Sequence, residues 1–423
     1  MFSHGYLAST NENGTPTRDL TATLQDNRLL PRGGSRRIAL ANELLATAWR
    51  SKWLPTPELD PDVIVAAARR TTGSTSSNMK LCWYDRLTLL LTALEQEASL
   101  TPLGRTIAYG QLTAAVANRF RAEVMLRRYP EILDVPVKAP IIIVGQMRSG
   151  STRVQRLLAC DPRLTFTRFY ESWNPIPRKP MRVFAGDRPL RAWLGLTSAR
   201  LLNPAFDTLH PTGVFQPNEE IGLHSLSIFG AAFEAQWRVP SFTSHIEAMN
   251  AQPVYREFKR YLQILAWLRR KGADRPWLLK VPQFTQDLGA LLAVFPDARL
   301  IYLHRDPAAV VASSEALAHN QMQLQSDCVD RDWIRQEWQR KVALRTERVS
   351  KARAQSDAPC VDIDYEAINS DWRAGVELVY KMLEIPVTEA VIAKMRRYIQ
   401  RPRSVGHNHD RQQFPLRSLQ VSQ

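Results

Sequence analysis

Residues 141–152 read Ile-Ile-Ile-Val-Gly-Gln-Met-Arg-Ser-Gly-Ser-Thr: an apolar run closed by glycine, then a second glycine and two hydroxyls. A short unbroken apolar run of this kind predicts a strand buried on both faces, as in a parallel sheet. The segment after it has the spacing of a phosphate loop, G-x-x-x-x-G-K-[ST], running from Gly145 through Gly150 to Thr152. Glycine permits the positive φ and close backbone approach that such a loop needs. The helix expected from Ser151 aims unpaired N–H groups at an anion. Val154, Leu157 and Leu158, at i, i+3 and i+4, give it an apolar face for the sheet. Ser149, Ser151 and Thr152 add hydroxyl donors. The lysine of the motif is missing: Ser151 stands in its place, and a cation, Arg148, has moved into the loop. The loop suits phosphate but lacks the ordinary means of splitting ATP or GTP.

A second phosphate determinant lies far downstream. Arg299–His304 reads as another buried strand, and Arg305-Asp306-Pro307 comes directly after it. Asp306 is a good N-cap and Pro307 fits the first helical position, so a helix is expected there. An arginine at the carboxyl end of a strand points into the crevice where open α/β sheets bind ligands. Its planar fork suits a phosphate dianion better than a lysine does. Ser313 lies seven residues past the cap, about two turns on, and shares a face with Asp306. His304-Arg305-Asp306 also evokes a kinase catalytic loop, but that motif wants Asn where Val311 stands.

Together these segments resemble the sulfotransferases that use 3′-phosphoadenosine 5′-phosphosulfate (PAPS), in particular the bacterial type with a helical N-terminal extension. The similarity extends to Asn118-Arg119-Phe120, Tyr129-Pro130-Glu131, Tyr170-Glu171-Ser172-Trp173, Pro217-Asn218-Glu219-Glu220, Leu279-Lys280-Val281-Pro282 and the stretches 295–299, 361–366 and 401–407. It spans about residues 100–410 and implies a P-loop-like α/β domain. By that resemblance Arg148, Ser149, Gly150, Ser151 and Thr152 grip the 5′-phosphosulfate, and Arg305 and Ser313 hold the 3′-phosphate. The tail Arg403-Ser-Val-Gly-His407 matches the family's basic phosphate clamp only loosely. The histidine that many relatives carry just after the Lys280 position is absent, for Pro282 and Phe284 stand there.

Sulfuryl transfer needs in-line placement, cations on the leaving phosphate and a base for the acceptor proton. Arg148, the helix N-terminus and Lys280 supply a positive field without a metal. For the base Glu171 is favoured, since aromatic neighbours Phe169, Tyr170 and Trp173 are expected to raise its pKa by burial; in histidine-lacking sulfotransferases a glutamate at a comparable place is thought to take the proton. Glu219 and Glu220, placed to face the acceptor, are the alternatives, and His210 and His224 come after them. The acceptor expected is a small molecule, lipid or glycan. Competing readings are a P-loop nucleotide kinase or NTPase, and a catalytically inactive nucleotide-binding homologue.

The chain has 423 residues, 44% of them hydrophobic, enough for one large and one smaller unit, and a formal charge of +15 that suits anionic ligands. The arginines are dispersed, with no zinc-finger spacing or aromatic RNA-binding signature, so no nucleic-acid partner is expected. Cys82, Cys160, Cys328 and Cys360 are far apart and read as reduced, buried thiols. With no apolar signal core and no membrane span, a cytoplasmic location is the expectation. The organisation expected is a mobile arm at 1–36, a helical region at 37–137 and a P-loop-like domain at 138–423. Helices are predicted near 37–53, 60–70, 85–99, 105–128, 221–237, 253–271 and 332–351. Strands are predicted at 164–169, 277–281, Arg299–His304 and Cys360–Asp364. The proline- and arginine-rich stretch from Glu171 to about 220 is expected to be irregular and to recognise the acceptor.

Overall fold

In the computed structural model, residues 32–73, 82–178, 186–203, 205–209, 211–269 and 274–400 are described. Five strands form one parallel sheet: β1 Ile141–Gly145, β2 Thr165–Phe166, β3 Trp277–Lys280, β4 Arg299–His304 and β5 Cys360–Asp364, in the order β2-β3-β1-β4-β5. Successive side chains on a strand face opposite sides, and both sides are covered. Ile142, Val144, Leu279 and Leu300 pack into a core shared with the N-terminal helices, while Ile141, Ile143, Leu278 and Ile301 pack into a second core. Burial on both faces is why β1 and the interiors of β3 and β4 are continuously apolar, whereas the edge strand β5, largely exposed, is not.

Among the described residues four α-helices precede the sheet: α1 Arg32–Arg50, α2 Pro61–Thr72, α3 Cys82–Gln96 and α4 Pro102–Arg128. Between β1 and β3 run α5 Ser151–Leu158, α6 Phe169–Trp173, α7 Arg188–Leu202, α8 Phe206–Leu209, α9 Ile221–Ser225, α10 Ala231–Gln236, α11 Pro240–Ala248 and α12 Gln252–Arg269. The remainder are α13 Leu288–Leu292, α14 Pro307–Gln323, α15 Arg331–Arg353, α16 Tyr365–Ser370, α17 Trp372–Met382 and α18 Glu389–Gln400. The fold class is the one expected: a P-loop-like parallel sheet flanked by helices, with a helical N-terminal region.

Four expectations are corrected. The strand expected at 164–169 shrinks to two residues, because Glu171 draws the chain into α6 by bonding the Arg168 amide. The helix expected at 221–237 is two short helices, interrupted where Ile228 and Gly230 take positive φ. The stretch expected to be irregular contains the 15-residue α7, with Pro189 at its start where proline is tolerated. The cysteines are not buried: Cys82, Cys328 and Cys360 are exposed and Cys160 is half-buried, all four free. Of the arm expected at 1–36, residues 1–31 lie outside the described residues, and α1 begins at Arg32.

The N-terminal helices meet the rest of the chain closely at Gly104. Thr101 caps α4 by accepting from the Gly104 amide, and its own amide donates to the Gln325 carbonyl, 2.9 Å away, just beyond α14. A Cβ on Gly104 would stand 2.0 Å from that carbonyl oxygen. Backbone cannot yield as a side chain does. Gly104→Ala is therefore expected to cost at least about 1–3 kcal/mol, read as a lower denaturation midpoint; an unchanged midpoint would show that α4 and residue 325 are free to part.

Candidate functional site

Three adjacent strands bring the site together. β1 pairs with β3 on one side, Ile143 opposite Lys280, and with β4 on the other, Gly145 opposite Leu303. The loop after β1, the end of β3 and the turn after β4 therefore emerge side by side at the carboxyl edge of the sheet, the ligand crevice of such folds.

The loop is built for close approach. Arg148 and Gly150 have φ of 69° and 83°, and a Cβ on Gly150 would meet the Tyr365 ring at 2.6 Å. The Ser149 hydroxyl is buried and has no hydrogen-bond partner among the described residues. Ser151 opens α5, whose Val154, Leu157 and Leu158 are buried against the sheet.

The downstream determinant meets this loop. Asp306 caps α14, accepting from the Ala308 and Ala309 amides. The Arg305 guanidinium donates to the Arg148 carbonyl at 2.6 Å and lies 4.1 Å from the centroid of the Tyr365 ring. Arg148 Nε in turn donates to Ser313 Oγ at 2.9 Å. The two cradles form one basic site. Arg403, expected beside Arg305 and Ser313 at the 3′-phosphate, lies outside the described residues, as do His210 and His407.

Lys280 is buried and donates from Nζ to Thr152 Oγ1 at 3.1 Å and to the Glu219 carboxylate. Burial holds its pKa below that of an ordinary lysine, against the opposing pull of Glu219. Glu220 accepts the Lys280 backbone amide at 2.8 Å and is fully buried; loss of solvent pushes its carboxyl up to about 8, despite the lowering effect of the Lys280 amide and the Thr167 hydroxyl. These glutamates are fixed from two directions. Ser172 Oγ bonds the Glu219 carbonyl and the Gly222 amide, and Gln155 of α5 reaches the Asn218 carbonyl.

Glu171 is in a different setting. It is fully buried and bonded to both nitrogens of an Arg269 fork, to the Arg168 backbone amide and guanidinium, and to the Tyr170 hydroxyl. Burial acts to raise its pKa, but Arg269 and Arg168 outweigh it and hold the carboxyl below its ordinary value. The expectation of a raised pKa is corrected: the aromatic neighbours are visible in the sequence, whereas the arginine that decides the outcome comes 98 residues later. His224 sits in a cage of Phe229, Tyr255, Phe258 and Phe284, which pushes its pKa down to about 3 and keeps it neutral. Sequence reasoning misses Tyr365; its position just past β5 is the signal that marks it. Among the described residues no cluster of carboxylates, histidines and cysteines is arranged to hold a metal ion.

A glycine-containing loop at the carboxyl edge of a parallel sheet, joined to a strand-end arginine, defines a P-loop-like transferase architecture. The chain belongs to the sulfotransferase family, whose sequence profile matches residues 140–389. Among solved structures it is similar to sulfotransferase STF1 from Mycobacterium tuberculosis, at 26% identity and a TM-score of 0.72, covering 81% of this chain and 94% of that one. It shares its fold with sulfotransferase STF9 from Mycobacterium avium, at 24% identity and a TM-score of 0.71, covering 80% and 87%. The comparison with curated proteins yields no match.

The two carboxylates should respond oppositely to pH. Glu171, with a depressed folded pKa, contributes stability above its unfolded pKa that is lost as pH falls through the folded value. Glu220 is the reverse: the folded state holds a proton that the unfolded chain has released, so stability falls as pH rises from 4.5 toward about 8. Denaturation of Glu220→Gln should lose that slope. Glu171→Gln, which strips the half-buried Arg269 of its carboxylate, is expected to cost about 1–3 kcal/mol at neutral pH; unchanged stability would exclude the ion-pair role.

Proposed function

We propose that the protein transfers a sulfuryl group from PAPS to a hydroxyl or amine of a small-molecule, lipid or glycan acceptor. The observation that carries this reading is the joined cradle, Arg305 on the Arg148 carbonyl and Arg148 on Ser313 Oγ. A ligand with two anionic ends needs such a pair of sites within one span. The fit is supported by the buried, unpartnered Ser149 hydroxyl and by the space that only glycine leaves at position 150. When bound, the nucleotide supplies the transferable group on a phosphate leaving group.

In this reading Ser149, Gly150, Ser151 and Thr152 bind the 5′ end through backbone amides and hydroxyls. Arg305 and Ser313 bind the 3′-phosphate, with Arg403 completing the pocket, and Arg148, which grips the 5′-phosphosulfate from the loop, links the two ends through its bond to Ser313. Lys280, steered by Thr152, places its ammonium at the mouth of α5, where negative charge grows. Proton removal from the acceptor falls to Glu219 in preference to Glu171. Glu219 is partly accessible and touches the Lys280 ammonium, while Glu171 is committed to Arg269 and Arg168. Glu220 positions the Lys280 backbone. A cytoplasmic enzyme is compatible with the finding that no described helix is long and apolar enough to cross a membrane.

Calorimetry with adenosine 3′,5′-bisphosphate in the presence of a chelator tests the donor site. Tight binding is expected, weakened about 10–100-fold by Arg305→Ala, the worth of a charge-assisted contact. Binding of ATP in preference to the bisphosphate would overturn the assignment. Glu219→Gln is expected to lower kcat by about 10²–10⁴ with bisphosphate affinity retained, the usual loss for a missing base. If Glu219→Gln turns over normally while folded Glu171→Gln does not, the base is Glu171.

A further inference from the structure

Two helices on the N-terminal side of the molecule expose apolar surface that the proposed chemistry does not use. On α1 and the turn after it, Leu40, Leu44, Trp53 and Leu54 are each 51–81% exposed. On α7, Leu190, Leu194 and Leu201 form one stripe at i, i+4 and i+11, with Trp193 beside it, each 52–59% exposed. The helices touch: the Arg37 guanidinium donates to the Leu201 carbonyl at 3.3 Å, and Leu40 and Leu44 lie three and seven residues beyond Arg37, on its face of α1. Large apolar residues scattered singly on a surface need no explanation, but a grouped set marks an interaction site.

Charge selects the partner. The segment from Arg32 to Lys52 carries Arg32, Arg36, Arg37, Arg50 and Lys52 against the single acid Glu43. On α7 there is no acidic residue, and Arg191 and Arg200 are paired with Asp187 and Asp207. Tryptophan and leucine bordered by lysine and arginine are the composition of surfaces that lie in a bilayer interface, where apolar groups enter the acyl boundary and cations meet anionic headgroups. A second copy of the chain would set this basic border against itself, and like charges facing each other cost affinity.

We propose that the α1–α7 face docks the protein peripherally on an anionic phospholipid bilayer. The segment that carries Glu219 adjoins α7: Arg200 bonds the Thr212 carbonyl, and the chain runs on from there through exposed Phe215 to Glu219. Docking thus brings the proposed acceptor segment toward the lipid surface. If the protein is the sulfotransferase proposed above, docking favours an acceptor whose hydroxyl sits at a membrane interface.

Cosedimentation of the full chain with vesicles of phosphatidylcholine alone, and of phosphatidylcholine mixed with phosphatidylglycerol, provides the test. Binding is expected to the mixed vesicles and to weaken with salt. Trp193→Ser/Leu194→Ser should reduce it by about tenfold or more, for the buried apolar area it removes. Arg36→Glu/Lys52→Glu should abolish the preference for the anionic lipid. Trp53→Phe/Trp193→Phe should keep sedimentation but lose quenching by brominated lipid. Each variant is checked by its affinity for adenosine 3′,5′-bisphosphate, which reports the donor site independently. Absence of sedimentation, sedimentation unchanged in the serine variant, or self-association that the serine variant abolishes would each overturn the proposal. Failure of bisphosphate binding alone would strike the donor reading and leave the docking intact.

Discussion

The hydrogen bond from Arg305 to the Arg148 carbonyl is the contact on which the site depends. It joins segments 157 residues apart, and it fixes the backbone of a loop whose residue 148 holds a positive φ that ordinary side chains avoid. Such strain persists only where the surroundings determine it. Here Tyr365 stacks on the Arg305 guanidinium and also closes the space at Gly150, so one aromatic ring limits both cradles. Strand order dictates the geometry: with β1 central and β3 and β4 as its neighbours, Lys280, the loop and Arg305 have no other place to emerge.

Much of this is legible locally. β1, β4 and β5 appear in the sequence with their observed bounds: β1 and β4 because buried parallel strands are apolar runs, β5 because Val361 and Ile363 alternate with aspartates on an edge strand, and all three because their ends carry punctuation, Gly145, Arg305-Asp306-Pro307 and Asp364. The Asp306 cap and the Pro307 start are local physics and hold in the structure. Features set at a distance escape. Nothing near Glu171 announces Arg269, so its environment reads as apolar when it is ionic. The break between α9 and α10 depends on a positive φ at Ile228, which periodicity cannot register. α7 is hidden by prolines that flank it without interrupting it. The role of Tyr365 requires knowing that β5 lies beside β4.

The paired glutamates show how adjacent residues of one type can diverge. Glu219 and Glu220 stand side by side on a segment laid against residues 167–172, where Asn218 donates to the Thr167 carbonyl. Alternation of direction then sends Glu219 to the Lys280 ammonium and Glu220 to the Lys280 amide. One carboxylate shares a charge; the other is stripped of solvent and retains its proton near neutrality. The same lysine is thus held at both its backbone and its tip, and its side chain has little freedom left to lose.

Charge also governs the brace behind the loop. Gln146, the first residue after β1, donates to the Val342 carbonyl of α15 at 3.2 Å. That helix is pinned through Lys341 and Arg345, both buried, to Glu234 of α10, whose carboxyl they hold at about 2. A buried ion pair gains little net stability over a well-packed apolar one, since desolvation offsets the attraction. Its distinction is intolerance of displacement: sliding α15 would part Glu234 from both cations that share it, Lys341 and the fully buried Arg345. The apolar stripe of Ile334 and Trp338 fixes that α15 packs, and the ionic triad fixes where along its length it does so. The loop that Gln146 begins inherits that register.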